Sequence, residues 1–138
     1  MKFHYRRLFL AIAAVVASLG TAHAADSIAI ELNKIEDAAG KCRTYFVVEE
    51  GAGKPVQSLK ADFVVFGKDG GVSRRLAAEL GPVRSHKTSV KIFEIEEACA
   101  EISGLLLNDI MACAPAAGPD ECLDRIALTS RVPIRFFK

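Results

Sequence analysis

Apolar and polar residues alternate with a period of two along much of this chain, and no other feature limits its fold so tightly. Successive side chains of an extended strand point to opposite sides, so such a run has one face for a core and one for water. Ile28, Ile30 and Leu32 alternate with Ala29, Glu31 and Asn33. Between Cys42 and Glu49, the row Cys42, Thr44, Phe46 and Val48 opposes Arg43, Tyr45, Val47 and Glu49. Leu59, Ala61, Phe63 and Val65 oppose Lys60, Asp62, Val64 and Phe66. Later, Val90 and Ile92 oppose Lys91, Phe93 and Ile95. Glycine, proline and aspartate separate these runs, at Asp37-Ala38-Ala39-Gly40, at Gly51-Ala52-Gly53-Lys54-Pro55, at Lys68-Asp69-Gly70-Gly71 and at Gly81-Pro82. The pattern predicts a mostly-β chain, an antiparallel sandwich of roughly six to eight strands. An α+β arrangement is the alternative.

The region from Glu96 to Ala114 reads two ways. Ile95, Cys99 and Ile102 recur at helical spacing, which predicts a short helix over Glu96 to Ser103. Gly104 weakens any continuation, and Leu105 to Met111 fits a buried strand. Ala114 to Glu121, with Pro115, Gly118 and Pro119, reads as a loop. The tail from Ile126 to Phe137 contains Pro133, so a strand there belongs at a sheet edge.

The chain carries four cysteines, which allow three pairings. Cys113 and Cys122 flank the Pro- and Gly-containing loop and form the natural local pair, leaving Cys42 with Cys99. Each bridge is expected to stabilise by about 2–4 kcal/mol. A redox or zinc role lacks its usual spacing, since no Cys-x-x-Cys occurs.

Bridges need an oxidising compartment, and the N-terminus supplies a route to one. Lys2, Arg6 and Arg7 precede an apolar run from Leu8 to Leu19, and Ala22-His23-Ala24 places small residues where a signal peptidase reads them. Cleavage between Ala24 and Ala25 is expected. The apolar run is too short for a permanent membrane anchor, so the mature form is expected to have no membrane span. Arg6-Arg7-Leu8-Phe9-Leu10 matches the twin-arginine pattern, while the general secretory route explains the same residues as an ordinary basic region. The 138-residue chain less residues 1–24 is one domain, residues 25–138. Three of 18 basic residues leave with the leader against 17 acidic ones that stay, so the mature net charge is −2 with histidine neutral. That balance gives no long-range field for nucleic acid, which is not expected as a partner.

Candidate chemistry is sparse. His86, in Arg84-Ser85-His86-Lys87, is the single mature histidine, and a general base needs an orienting partner that no nucleophile motif supplies. Glu94, Glu96, Glu97 and Glu101, echoed by Asp120, Glu121 and Asp124, form an acidic patch without calcium-loop spacing. Paired acids also serve glycoside cleavage, but the chain has no Trp to receive a sugar ring. Arg74, Arg75, Arg84 and Lys87 are read as sharing one rim of a sheet, where charge blunts an edge strand.

Ile30-Glu31-Leu32-Asn33-Lys34, the Cys42 strand, Arg74-Arg75-Leu76, Lys87-Thr88-Ser89-Val90-Lys91 and Leu106-Leu107-Asn108-Asp109 carry a resemblance. Through them the chain resembles a family of small exported bacterial proteins labelled by a twin-arginine signal, which brings no assigned activity. Leu59 to Val72 is also similar to the strand–Asp-Gly–strand segment of immunoglobulin-like exported domains, which implies an immunoglobulin-like sandwich. The expectation is a periplasmic, non-enzymatic module that binds a protein or envelope partner, with no catalytic residue, metal or cofactor. The alternative is a small periplasmic enzyme or a cofactor carrier exported by the twin-arginine route.

Overall fold

The computed structural model describes residues 28–115 and 118–138. The leader, its twin arginines Arg6 and Arg7 and the Ala24–Ala25 cleavage position lie outside the described residues.

Eight strands form: β1 (Ile28–Ala38), β2 (Lys41–Glu50), β3 (Ser58–Gly67), β4 (Val72–Glu79), β5 (Thr88–Ile95), β6 (Ile102–Ala114), β7 (Ile126–Ser130) and β8 (Arg135–Phe137). They build two four-stranded sheets, ordered β5-β2-β1-β7 and β4-β3-β6-β8. The expected sandwich is therefore present, and the alternating rows decide its faces. Ile28, Ile30 and Leu32 of β1, with Cys42, Thr44, Phe46 and Val48 of β2, are buried. So are Leu59, Ala61, Phe63 and Val65 of β3.

Two hairpins follow from turn chemistry. Ala39 and Gly40 both have positive φ, 52° and 82°, as a two-residue connection between right-twisted strands requires. Between β3 and β4, Gly70 takes φ 81°, and Asp69 Oδ1 accepts the Gly71 N–H at 3.0 Å. Gly81 is fixed by space, because a Cβ there would lie 2.8 Å from Glu79 Oε1 and from the Leu59 nitrogen.

Aromatic rings join the two layers. Phe46 of β2 stacks on Phe63 of β3 with centroids 5.8 Å apart and planes 10° from parallel. Phe136 of β8 meets Phe46 edge-on at 5.6 Å, and Phe93 of β5 meets it tilted at 5.9 Å. Burying each such ring stabilises by about 2–3 kcal/mol, and each well-oriented pair adds about 0.5–1.5 kcal/mol.

Three local readings are refined. The helix expected over Glu96 to Ser103 contracts to one 3-10 turn, Cys99–Glu101, because Ile102 already enters β6. The loop ending at Glu121 gives way to a helix α1, Pro119–Arg125. Proline in its first turn presets φ, Asp120 and Glu121 favour its N-terminus, and Arg125 its last turn. Finally, four strand pairs are antiparallel, but β1 with β7 and β6 with β8 are parallel. Ala114 at the end of β6 and Ile28 at the start of β1 lie at the same end of the sandwich, beside Ser58 and Glu50 respectively. Helix α1 turns the chain there, so β7 departs alongside β1 in the same direction.

Both disulfides have the expected partners, Cys42–Cys99 and Cys113–Cys122. Cys42 is the second residue of β2 and Cys99 lies on the crossover from the first sheet to the second, with Cα atoms 4.6 Å apart. Cys122 fastens α1 to the end of β6.

Candidate functional site

Every open sheet has two edges, and unpaired backbone groups along an edge can accept another strand. Here the four edge strands are β5, β7, β4 and β8. On one side, β7 passes to β8 through residues 131–134. Arg131 N–H donates to the Leu32 carbonyl at 3.0 Å, and Ser130 Oγ donates to the Ile134 carbonyl at 2.8 Å. β8 has only three residues. These short, strapped edges offer little template.

The other side is open, with a groove of about 290 Å3 between β4 and β5 lined by Ser73, Leu76, Glu94 and Glu96 among others. β4 is blunted in three ways. Its pairing with β3 slips between Val65 and Phe66, leaving Ser73 as an extra residue. Ser73 Oγ lies 2.8 Å from Glu97 Oε2, tying the bulge to the crossover. Arg74 stands opposite inward Val65 and Arg75 opposite outward Val64, so long cations leave both faces.

β5 is regular. It pairs with β2 from Thr88 to Ile95 without a register shift and holds no proline. Its inner row is Ser89, Lys91, Phe93 and Ile95, and the Lys91 ammonium ends on the Gly81 carbonyl at 3.0 Å. An inward lysine is a known guard of edge strands, but this one is bonded back to its own chain. The outer row exposes Val90 at 58% and Ile92 at 53%. Beside them on β2 lie Val47, opposite Val90, and Tyr45, opposite Ile92. Aliphatic residues therefore form a patch on the outer face that reaches the free edge.

Charges ring this patch on one flank. Tyr45 Oη donates to Glu36 Oε1 at 2.7 Å, Lys34 Nζ lies 2.7 Å from Glu36 Oε2, and Arg43 bonds both Glu36 and Glu94. Lys34 also sits 5.0 Å from the Tyr45 ring centroid. The Lys34 bond first, then the Tyr45 hydroxyl and Arg43, hold the Glu36 carboxyl down at about 2 against the opposing effect of burial.

The residues singled out from sequence do not converge. His86 is exposed in a turn with φ 53°. Its N–H donates to the Glu50 carbonyl at 2.8 Å, and among the described residues its ring makes no hydrogen bond. Of the acidic group, Glu94 pairs with Arg43, Glu96 with Lys41, and Glu97 with Ser73 and Arg74. Asp120, Glu121 and Asp124 all lie on α1, at the opposite end of β6 from Glu101. The shared basic rim is a correction. Arg74 and Arg75 leave opposite faces of β4, while Arg84 and Lys87 fall in the loop before β5. Arg74 and Arg75 do blunt the β4 edge, but Arg84 and Lys87 lead into β5, the edge of the other sheet, so the four do not share one sheet's rim.

Three buried or partly buried carboxylates escaped the sequence reading. Asp62 is 3% exposed and is gripped by Arg75 at 2.7 and 2.8 Å and by Asn108 at 2.7 Å. The Arg75 bonds, with help from Asn108, lower its pKa despite burial. Glu79 is pushed up by burial, but the Leu59 and Gly81 amides and the Ser58 hydroxyl outweigh this and lower it. Glu50 is 1% exposed and accepts the Ala52 and Gly53 amides, with Arg125 Nη2 3.6 Å away. All three organise backbone or bind a neighbouring arginine, which is structural work. Their sequence signal was an acidic residue within or at the end of an apolar strand.

Among the described residues, no three or more His, Cys, Asp or Glu side chains are grouped to hold a metal ion. Among the same residues no helix is long and apolar enough to cross a membrane. No protein-family model matches the chain, and no curated protein matches it. A solved structure described as a structural characterization of IrmA from Escherichia coli is similar at a TM-score of 0.48 and 14% identity. The match covers 74% of this chain and 90% of that one.

Proposed function

We propose that this chain is an exported, periplasmic binding protein that performs no chemistry and holds a protein partner by accepting an extended segment along β5. One observation carries the reading. Of the four edges, β5 alone combines a regular eight-residue register with exposed aliphatic side chains, Val90 and Ile92. Main-chain hydrogen bonds along such an edge supply affinity, and alternate side chains supply specificity. Two disulfides, with no free thiol among the described residues, support an oxidising compartment. Glu94, Glu96 and Glu97 are committed to Arg43, Lys41 and Arg74, Asp62 to Arg75, and Glu50 and Glu79 to backbone amides, while His86 has no carboxylate to orient it among the described residues, which favours binding over catalysis.

The test is a photo-crosslinking residue placed at Val90 and, separately, at Met111, which is 54% exposed on the other sheet. The expected result, in cells exporting the full chain, is a discrete protein adduct from position 90 that is absent at 111. No adduct from position 90 overturns the reading.

A further inference from the structure

We propose that the occupant of the β5 edge is β5 of a second copy, running antiparallel about a two-fold axis through Val90; this rests on the docking reading above. The argument is one of register. Antiparallel pairing that continues the sheet keeps outward residues opposite outward residues, so only shifts by whole two-residue steps are open.

If Lys91 falls on the axis, it opposes Lys91 of the other copy, and like charges directly opposite destabilise. If Ile92 falls on the axis, Val90 opposes Glu94, setting an aliphatic side chain against a carboxylate already bound to Arg43. If Val90 falls on the axis, both faults vanish. Val90 then meets Val90, Ile92 meets Thr88, and Lys91 meets Ser89.

Because Val90 already opposes Val47, the outer face gains an unbroken row Val47–Val90–Val90–Val47 across two copies. The flanking rows run Tyr45–Ile92–Thr88–Glu49, extending the pairs of β2 and β5 that the single chain forms. Long-range repulsion between copies is small, since the net charge of the mature chain is only −2 with histidine neutral. An isologous contact of this kind closes at two copies and uses up the one open edge of each. The other edges stay strapped or blunted, so growth into fibres is blocked.

The experiment is cysteine crosslinking of the purified protein with its two disulfides intact, using copper-phenanthroline as oxidant. Each linkage joins two thiols as one S–S bond and passes two electrons to the oxidant. Val90→Cys is expected to give a covalent dimer. Ile92→Cys alone should crosslink several-fold more slowly, and mixing Ile92→Cys with Thr88→Cys should restore the rate. Met111→Cys sets the collisional background, and circular dichroism confirms that each variant folds. In parallel, light scattering should show a concentration-dependent dimer that Val90→Lys abolishes.

A Val90→Cys rate no higher than that of Met111→Cys overturns the proposal, as does faster linkage at Ile92. If the photo-adduct from position 90 in cells is then a different protein, β5 docking stands and self-pairing falls. If no adduct forms there, both fall.

Discussion

β4 and β5 are edge strands of equal length on the same side of the sandwich, yet they meet solvent differently. β4 carries a bulge at Ser73 and arginines on both faces, while β5 runs straight and shows Val90 and Ile92. Arg75 does two things at once: it blunts its edge and compensates the nearly buried Asp62. Lys91 looks like a guard in sequence but is turned inward onto the Gly81 carbonyl, which leaves the β5 backbone accessible. An edge is thus protected by where its charges end, and merely having them in the strand is insufficient.

The largest test of this contrast removes the bond that anchors one edge. Cys42 stands opposite Ile95, and its disulfide ties β2 to the crossover just after β5. Replacing Cys42 and Cys99 by Ala should cost about 2–4 kcal/mol in denaturant unfolding. Amide exchange should quicken first in the Glu94–Ile95 end of β5, with β4 held. Equal loosening of both edges would break the comparison.

Next in size is Gly81→Ala. Its methyl would meet Glu79 Oε1 and the Leu59 nitrogen, each at 2.8 Å, and the Gln57 carbonyl at 3.0 Å. Two of these three are backbone, so relief requires moving the loop that leads into β5. A loss of about 1–3 kcal/mol is expected on thermal unfolding, together with weaker β5 linkage through Val90→Cys.

Arg75→Ala sharpens the other half. It leaves Asp62, 3% exposed, with Asn108 as its remaining side-chain donor. Melting should fall by a few degrees at neutral pH, and Asp62→Asn in the same background should recover part of the loss. Asp62 has a folded pKa below its unfolded 3.8. Its contribution is therefore present above about pH 3.8 and lost as pH falls through the lowered value. Wild type should converge on Arg75→Ala in strong acid.

The smallest effect concerns the charged flank of the β5 patch. Glu36 titrates at about 2 when folded against 4.5 as its ordinary value. The stabilisation it gives exists above pH 4.5 and disappears on descent towards 2. Carboxyl chemical shifts from nuclear magnetic resonance should place the midpoint near the lower value. Tyr45→Phe, which deletes one donor, should raise it.

Much of the architecture was legible before any coordinates. Alternation located the inward rows of β1, β2 and β3, glycine and aspartate located the hairpins, and loop composition with elimination chose the disulfide partners. Helix α1 was half visible, since Pro119 and its following acids are a helix-start pattern that the surrounding loop residues masked. The parallel pairs were not visible, because local periodicity says that a strand exists and not which neighbour it takes. The site was less legible still. Val90 and Ile92 were seen as one row and Lys91, Phe93 and Ile95 as the other, but nothing local ranks the first as outer.

What the sequence determined by itself was a layered β chain held by two particular sulfur bridges, because side-chain alternation and turn residues act over a few neighbouring positions. Tertiary structure alone decided which edge stays open. That choice depends on Phe93 packing against Phe46 of β2 and on Lys91 finding a carbonyl ten residues away. Only the packed sheets bring those groups together, so the outward turn of Val90 and Ile92 is a consequence of the whole fold.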